Sequence, residues 1–187
     1  MTGGAAVGRG VSEPVDITQA HRPVYRAASG MAKAATDAAE AVGIGRDVVE
    51  LVDVRVSQIN GCARCLSVHV PRARRAGVTQ HRLDLLPTWR ESSVFTDVER
   101  AALEIAELTT NLPHGAALAA SGGAGRRGGL TDEQVAAIVW VAIAIGAFNR
   151  ISIMSGHDAL PPREDSAAAQ GRDEQTERPT TTGASDE

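Results

Sequence analysis

The residues best suited to chemistry in this 187-residue chain fall in one segment, Glu50 to His69. The only two cysteines, Cys62 and Cys65, form a C-x-x-C pair, and His69 follows four residues later. On a helix, positions 62, 65 and 69 are i, i+3 and i+7 and lie one above another, so two sulfurs and an imidazole would meet in one pocket. Asn60-Gly61 breaks the chain just before Cys62, which puts the pair in the first turn of a new helix. Unpaired backbone N–H groups and the helix dipole there favour a thiolate. That matters because the thiolate is the nucleophile and a free cysteine, with a pKa of ~8.5, is mostly protonated at neutral pH. His69 as a base and the cation of Arg64 push the same way. Glu50 lies 12 residues before Cys62. If the chain turns back at Asn60-Gly61, its carboxylate reaches His69 and completes a Glu–His–Cys proton relay.

Other readings of the same residues stay open. Two neighbouring cysteines can be buried structural thiols, since free cysteine is among the most buried residue types. Cys62, Cys65 and His69 are competent zinc ligands with Glu50 as a fourth, although zinc motifs usually bring a second C-x-x-C or paired histidines. Covalent haem attachment requires histidine directly after the second cysteine, and position 66 is leucine. A thioredoxin-type site needs a βαβ context, and no such alternation is visible.

The elements that must position these residues read as helices. Pro23 starts one that runs to Val42, with Gly43 as its stop. Residues 46–59, RDVVELVDVRVSQI, are ambiguous: Val52, Val54 and Val56 alternate as in a strand, while Val49, Val52, Val56 and Ile59 share a helical face. No partner strand exists elsewhere, so a helix is the economical reading. The next helix should span about Cys62 to Ala76, with Pro71 kinking it or ending its first half. Thr79 caps a short helix ending before Pro87. Thr96 with Glu99, and Thr131 with Gln134, form capping boxes ahead of apolar helices.

Composition supports an all-α fold. Side chains are 43% hydrophobic and only 3% aromatic, so the core must be aliphatic and Ala-rich. The expected organisation is a disordered N-terminal tail (1–18), one helical domain (19–160) containing a flexible Gly- and Ala-rich loop (111–130), and a disordered acidic tail (161–187). The net charge of −4 sits in that last tail, which has three Arg against seven Asp and Glu, and the near-neutral body disfavours nucleic-acid binding. The longest apolar run, the 14 residues Val135–Phe148, falls short of the ~20 a membrane span needs. The N-terminus lacks the apolar core of a secretory signal, so the expected compartment is the cytoplasm. There a close cysteine pair points to redox or metal chemistry rather than a structural staple.

The pattern E-x11-C-x-x-C-x-x-x-H, set in SQINGC and followed by an Arg-rich stretch and AG, resembles the alkylhydroperoxidase D-like branch of the carboxymuconolactone decarboxylase family. WRESSVFTDVERAALEIAE and the late FNRISI are similar to segments of that branch, and the resemblance covers about Val24–Ile153. It implies an all-α fold assembled into homo-oligomers and a thiol-dependent peroxidase that reduces small hydroperoxides without metal or prosthetic group. By motif position, Cys65 would be the peroxidatic thiolate, Cys62 the resolving thiol, and His69 with Glu50 the proton relay. An external dithiol, lipoyl groups on a carrier in the best-known case, would restore the pair. The decarboxylase branch lacks the cysteine pair, which argues against lactone decarboxylation. Arg64 departs from members that carry a further histidine there, and the 111–130 segment is longer than expected. A non-catalytic redox sensor or scaffold of the same fold is the alternative.

Overall fold

The computed structural model describes residues 14–113 and 117–161 and is built of helices, with no strand among the described residues. The expected tail segments 1–13 and 162–187 lie outside the described residues. In chain order the elements are α1 (Ile17–Ala20), α2 (Arg22–Ala41), α3 (Arg46–Asn60), α4 (Ala63–Arg75) and α5 (Gln80–Leu85). A 3-10 helix (Leu86–Glu91) leads to α6 (Asp97–Asn111), α7 (Ala117–Arg127) and α8 (Asp132–Met154).

Local signals set most helix ends. Gly43, just past α2, takes φ +79°, a conformation only glycine adopts without strain. Thr96 and Thr131 each accept from the backbone N–H three residues on, and Glu99 and Gln134 reach back to the cap. These reciprocal bonds satisfy donors that a helix start leaves orphaned.

The ambiguous valine segment is the helix α3, and its burial explains the ambiguity. Val49, Val52 and Val56 pack into a core formed with α2, α6, α7 and α8. Leu51 and Val54 face a second cluster around Leu86, Trp89, Phe95 and Leu103. A helix wrapped on both sides needs apolar residues at almost every position, so the 3.6-residue period is blurred. Each fully buried aliphatic side chain here contributes ~1.5–3 kcal/mol. Truncating Leu103, which is fully buried, should therefore cost ~2–5 kcal/mol.

Three sequence expectations change. First, the segment 111–130 is not a flexible loop throughout, because α7 occupies Ala117–Arg127. A Cβ at Gly125 would collide with Val135, and one at Gly128 with Ala101. The glycines thus permit close approach to α6 and α8, and the buried Ala124 seals the contact. Their cost in helix propensity is offset by packing the sequence does not display. Second, the N-terminal tail ends earlier than 18: Asp16 caps α1 by accepting from the Thr18 and Gln19 N–H groups, and Thr18 is buried. Third, Pro71 does not end its helix; α4 is continuous from Ala63 to Arg75.

The 23-residue α8 is long and apolar enough, by length and composition, to cross a membrane. Half of its most apolar window is buried, and it packs against α2, α3 and α6 as a core helix.

Candidate functional site

The site depends on how α3 ends. Gly61 adopts φ +67°, and Cys62 N–H then bonds to the Ser57 carbonyl at 3.0 Å, closing the last turn of α3. The chain reverses and α4 runs back along α3. From α8, the fully buried Asn149 donates to Ser57 Oγ at 3.0 Å and accepts from Asn60 Nδ2 at 2.9 Å. Asn149 thereby pins the turn that sets Cys62, a structural role.

Cys62 is the N-cap of α4, and its sulfur accepts from Cys65 N–H at 3.2 Å. The two cysteines are joined as a disulfide with Cα atoms 5.3 Å apart. Cys62 is 1% exposed and Cys65 5%. They differ in what they face: Cys65 lines a cavity of about 660 Å³, and Cys62 is not among its walls.

One turn further along α4, His69 lines the same cavity. Its Nδ1 lies 2.8 Å from Glu50 Oε2 and 3.1 Å from Asp53 Oδ2. The other Glu50 oxygen, Oε1, accepts from Arg46 Nη2 at 2.7 Å. Burial opposes ionisation of the Glu50 carboxyl, but His69 and Arg46 outweigh it and hold its pKa below the ordinary value. For Asp53, burial prevails over the attraction of His69 and raises the pKa. Burial alone would depress His69, yet hydrogen bonds to Asp53 and Glu50 lift it to about 9. At neutral pH the ring is therefore an imidazolium. The sequence reading cast His69 as a base; two carboxylates on one nitrogen make it a cation with a proton to give.

Asp53 was missed from the sequence. It lies three residues after Glu50, hence on the same face of α3, and Arg46 lies one turn before. That i−4, i, i+3 set of charges among valines was the available signal. The donor atoms of Glu50, Asp53 and His69 lie within 4.8 Å of one another, the spacing a metal ion would need. Neither cysteine belongs to this group. The Cys62, Cys65, His69 and Glu50 zinc set is accordingly not assembled as one set of donors.

The remaining cavity walls come from α2 and α8: Tyr25, Ala32, Val141, Ile145 and Phe148 form an apolar side, with Tyr25 edge-on to Phe148 at 5.9 Å between centroids. Arg64 and Arg72 of α4 join the same cavity. The arrangement offers a disulfide whose outer sulfur meets a partly apolar chamber, with a buried proton-holding group beside it.

Residues 23–108, a stretch that includes Glu50, Cys62, Cys65 and His69, match the sequence profile of the carboxymuconolactone decarboxylase family. The protein YdfG of Bacillus subtilis (strain 168), itself uncharacterized, is 36% identical over 125 residues, covering 62% of this chain and 78% of that protein. The fold is similar to the crystal structure of an Agrobacterium tumefaciens protein of unknown function, suggested to be the antioxidant defence protein AhpD. That similarity has a TM-score of 0.66 and 24% identity, over 81% of this chain and 100% of the other.

Proposed function

The chain belongs to the carboxymuconolactone decarboxylase family, and on that premise we propose that it is a thiol-dependent peroxidase of the alkylhydroperoxidase D-like branch. The observation that carries this reading is the position of Cys65: disulfide-bonded to Cys62, facing a cavity it shares with His69, whose Nδ1 is anchored to Glu50.

The reaction begins with the reduced pair. The first turn of α4 and the His69 imidazolium favour the Cys65 thiolate over the thiol. The thiolate attacks the terminal oxygen of ROOH, the O–O bond breaks, and Cys65 becomes a sulfenic acid. His69 donates a proton to the departing alkoxide, giving ROH. With Nδ1 committed to the carboxylates, Nε2 is the nitrogen left to do so. The Cys62 thiol then attacks the sulfenic sulfur, releasing water and forming the disulfide. An external dithiol returns both thiols and leaves as a disulfide; a lipoyl group on a carrier protein fits this role. Glu50 and Asp53 hold the imidazole in place, and the proton that the reduced Cys65 thiol loses on returning to the thiolate recharges it between turnovers.

Homo-oligomerisation belongs to the same reading. It is supported by Trp140, Ile143, Ile153 and Met154 of α8, which are exposed apolar side chains on a helix whose other side is buried in the core. A cytoplasmic location fits a cysteine pair that must be reduced after each turn.

The decisive test is a thiol titration of reduced protein mixed with tert-butyl hydroperoxide. Both thiols should disappear, with one equivalent of tert-butanol formed per chain. Retention of the thiols would remove the peroxidase reading.

A further inference from the structure

The chamber over Cys65 is larger than a small peroxide requires, and its walls are of two kinds. A volume of about 660 Å³ lies in the range of pockets that enclose drug-sized ligands. Tyr25, Val141, Ile145 and Phe148 supply an apolar wall suited to a hydrocarbon chain. The charged residues facing the chamber are Lys33, Asp37, Glu40, Arg46, Asp53, Arg64, Arg72 and His69.

Most of these charges cancel in pairs. Lys33 binds Asp37 at 2.5 Å. Arg46 is shared between Glu50 at 2.7 Å and Glu40 at 3.8 Å. Asp53 is met by His69 at 3.1 Å. Two cations remain. Arg64 makes one 3.4 Å contact to the Asp158 carbonyl, and neither Arg64 nor Arg72 has a carboxylate partner among the described residues. Both stand on α4, the helix that carries Cys65 and His69. Arg72 also borders a second depression lined by Arg46, Glu50, Arg75 and Ala76, in which three guanidinium groups face one carboxylate.

Resting on the peroxidase reading, we propose that the preferred substrates are amphipathic hydroperoxides bearing a carboxylate, with Arg64 and Arg72 binding the anionic group and the α2–α8 wall holding the hydrocarbon. A guanidinium matches a carboxylate through two parallel N–H bonds, which gives orientation as well as attraction. Holding the acid end at the arginines restricts the positions the peroxide oxygens take relative to Cys65, so recognition should appear in kcat/KM. The redox step is unchanged: the hydroperoxide is reduced to the hydroxy acid and water as the dithiol is oxidised.

The test compares a medium-chain hydroperoxy fatty acid with its methyl ester and with tert-butyl hydroperoxide, using dithiothreitol as reductant. For the unaltered protein, kcat/KM for the acid should exceed that for the ester by about tenfold, the size of one good charge-assisted contact. That advantage should shrink as salt is added. In Arg72→Gln and Arg64→Gln the acid-to-ester ratio should fall several-fold, and in the double variant it should approach one. Both side chains reach solvent, so folding is not at stake, and the ratio controls for any change in overall rate. Equal rates for acid and ester, with tert-butyl hydroperoxide still turned over, would overturn the substrate class and leave the peroxidase intact. Failure to reduce all three would remove both.

Discussion

On the α6 side of α3, Glu107 accepts from Arg55 Nε at 2.8 Å and from Trp89 Nε1 at 2.9 Å, with Arg90 on its second oxygen. On the α4 side, Glu50 and Asp53 share His69, with Arg46 behind Glu50. Both clusters neutralise carboxylates where α3 meets a neighbouring helix, Glu107 being carried by α6 and Glu50 with Asp53 by α3 itself, and both hold a glutamate below its ordinary pKa against the opposing effect of burial. They differ in the cation. A guanidinium does not give up its proton in a protein, so the Glu107 cluster can only bind and brace. An imidazolium can, and His69 lines the cavity that contains Cys65. Similar electrostatics thus brace the fold in one place and, under the proposed function, store a proton in the other.

The contrast breaks first at the sulfurs. Cys65→Ser should abolish peroxide turnover, whereas Cys62→Ser should oxidise once and stop with a trapped sulfenic acid, detectable by a sulfenate-specific label and mass spectrometry. Glu107→Gln should leave the rate within about twofold, because its cluster touches no reacting group. Equal residual activity in the two cysteine variants would contradict their assigned roles.

Stability provides the next separation. His69→Leu leaves two buried carboxylates with one cation between them and should cost about 3–5 kcal/mol in urea unfolding at pH 7. Glu107→Gln, which keeps its shape and one acceptor, should cost only about 1–2 kcal/mol.

Alkaline pH distinguishes the clusters without mutation. The folded pKa of His69 is about 9, above its unfolded value of about 6.5. Its contribution to stability is therefore fully present below pH ~6.5 and is lost as pH rises through about 9. The Glu107 cluster contains no imidazole to lose its charge over that range. Unfolding free energy followed from pH 7 to 10 should decline in the unaltered protein and in Glu107→Gln, and should flatten in His69→Leu. Asp53→Asn sharpens the point: removing one anion should lower the His69 pKa by about one unit, read by NMR titration of the ring. An unmoved titration would reduce Asp53 to a packing residue.

The smallest effect lies at the surface. Lys33 and Asp37 form an exposed i, i+4 pair, and Lys33→Ala should change stability by less than about 0.5 kcal/mol.

How much of this was legible beforehand depended on where the decisive interaction sits. Helix starts at Thr79, Thr96 and Thr131 are written in neighbouring residues, because a cap is a contact across three positions. The break at Asn60-Gly61 is equally local, and from it follows the reversal that sets α4 against α3. Glu50, Cys65 and His69 were legible through their spacing. Asp53 was not, because only the imidazole turned toward α3 distinguishes it from any other acidic residue. The helix α7 stayed hidden because its glycines read as loop until Ala101 and Val135 are seen pressing against them. The ionisation of His69 was misjudged for the same reason as Asp53: a pKa reports neighbours in space, and one of the two was unseen.

The sequence by itself determined that the chain is helical, that it carries two thiols at the start of a helix with an imidazole one turn on, and that a carboxylate precedes them at the right remove. These are consequences of short-range geometry, fixed by 3.6 residues per turn and by which residues end a helix. Only the tertiary structure decided which sulfur meets the cavity, which charge the imidazole carries, and which cavity arginines lack a carboxylate partner among the described residues. Those properties arise from burial and from pairings between residues far apart in the chain, and the linear order of side chains does not encode them locally.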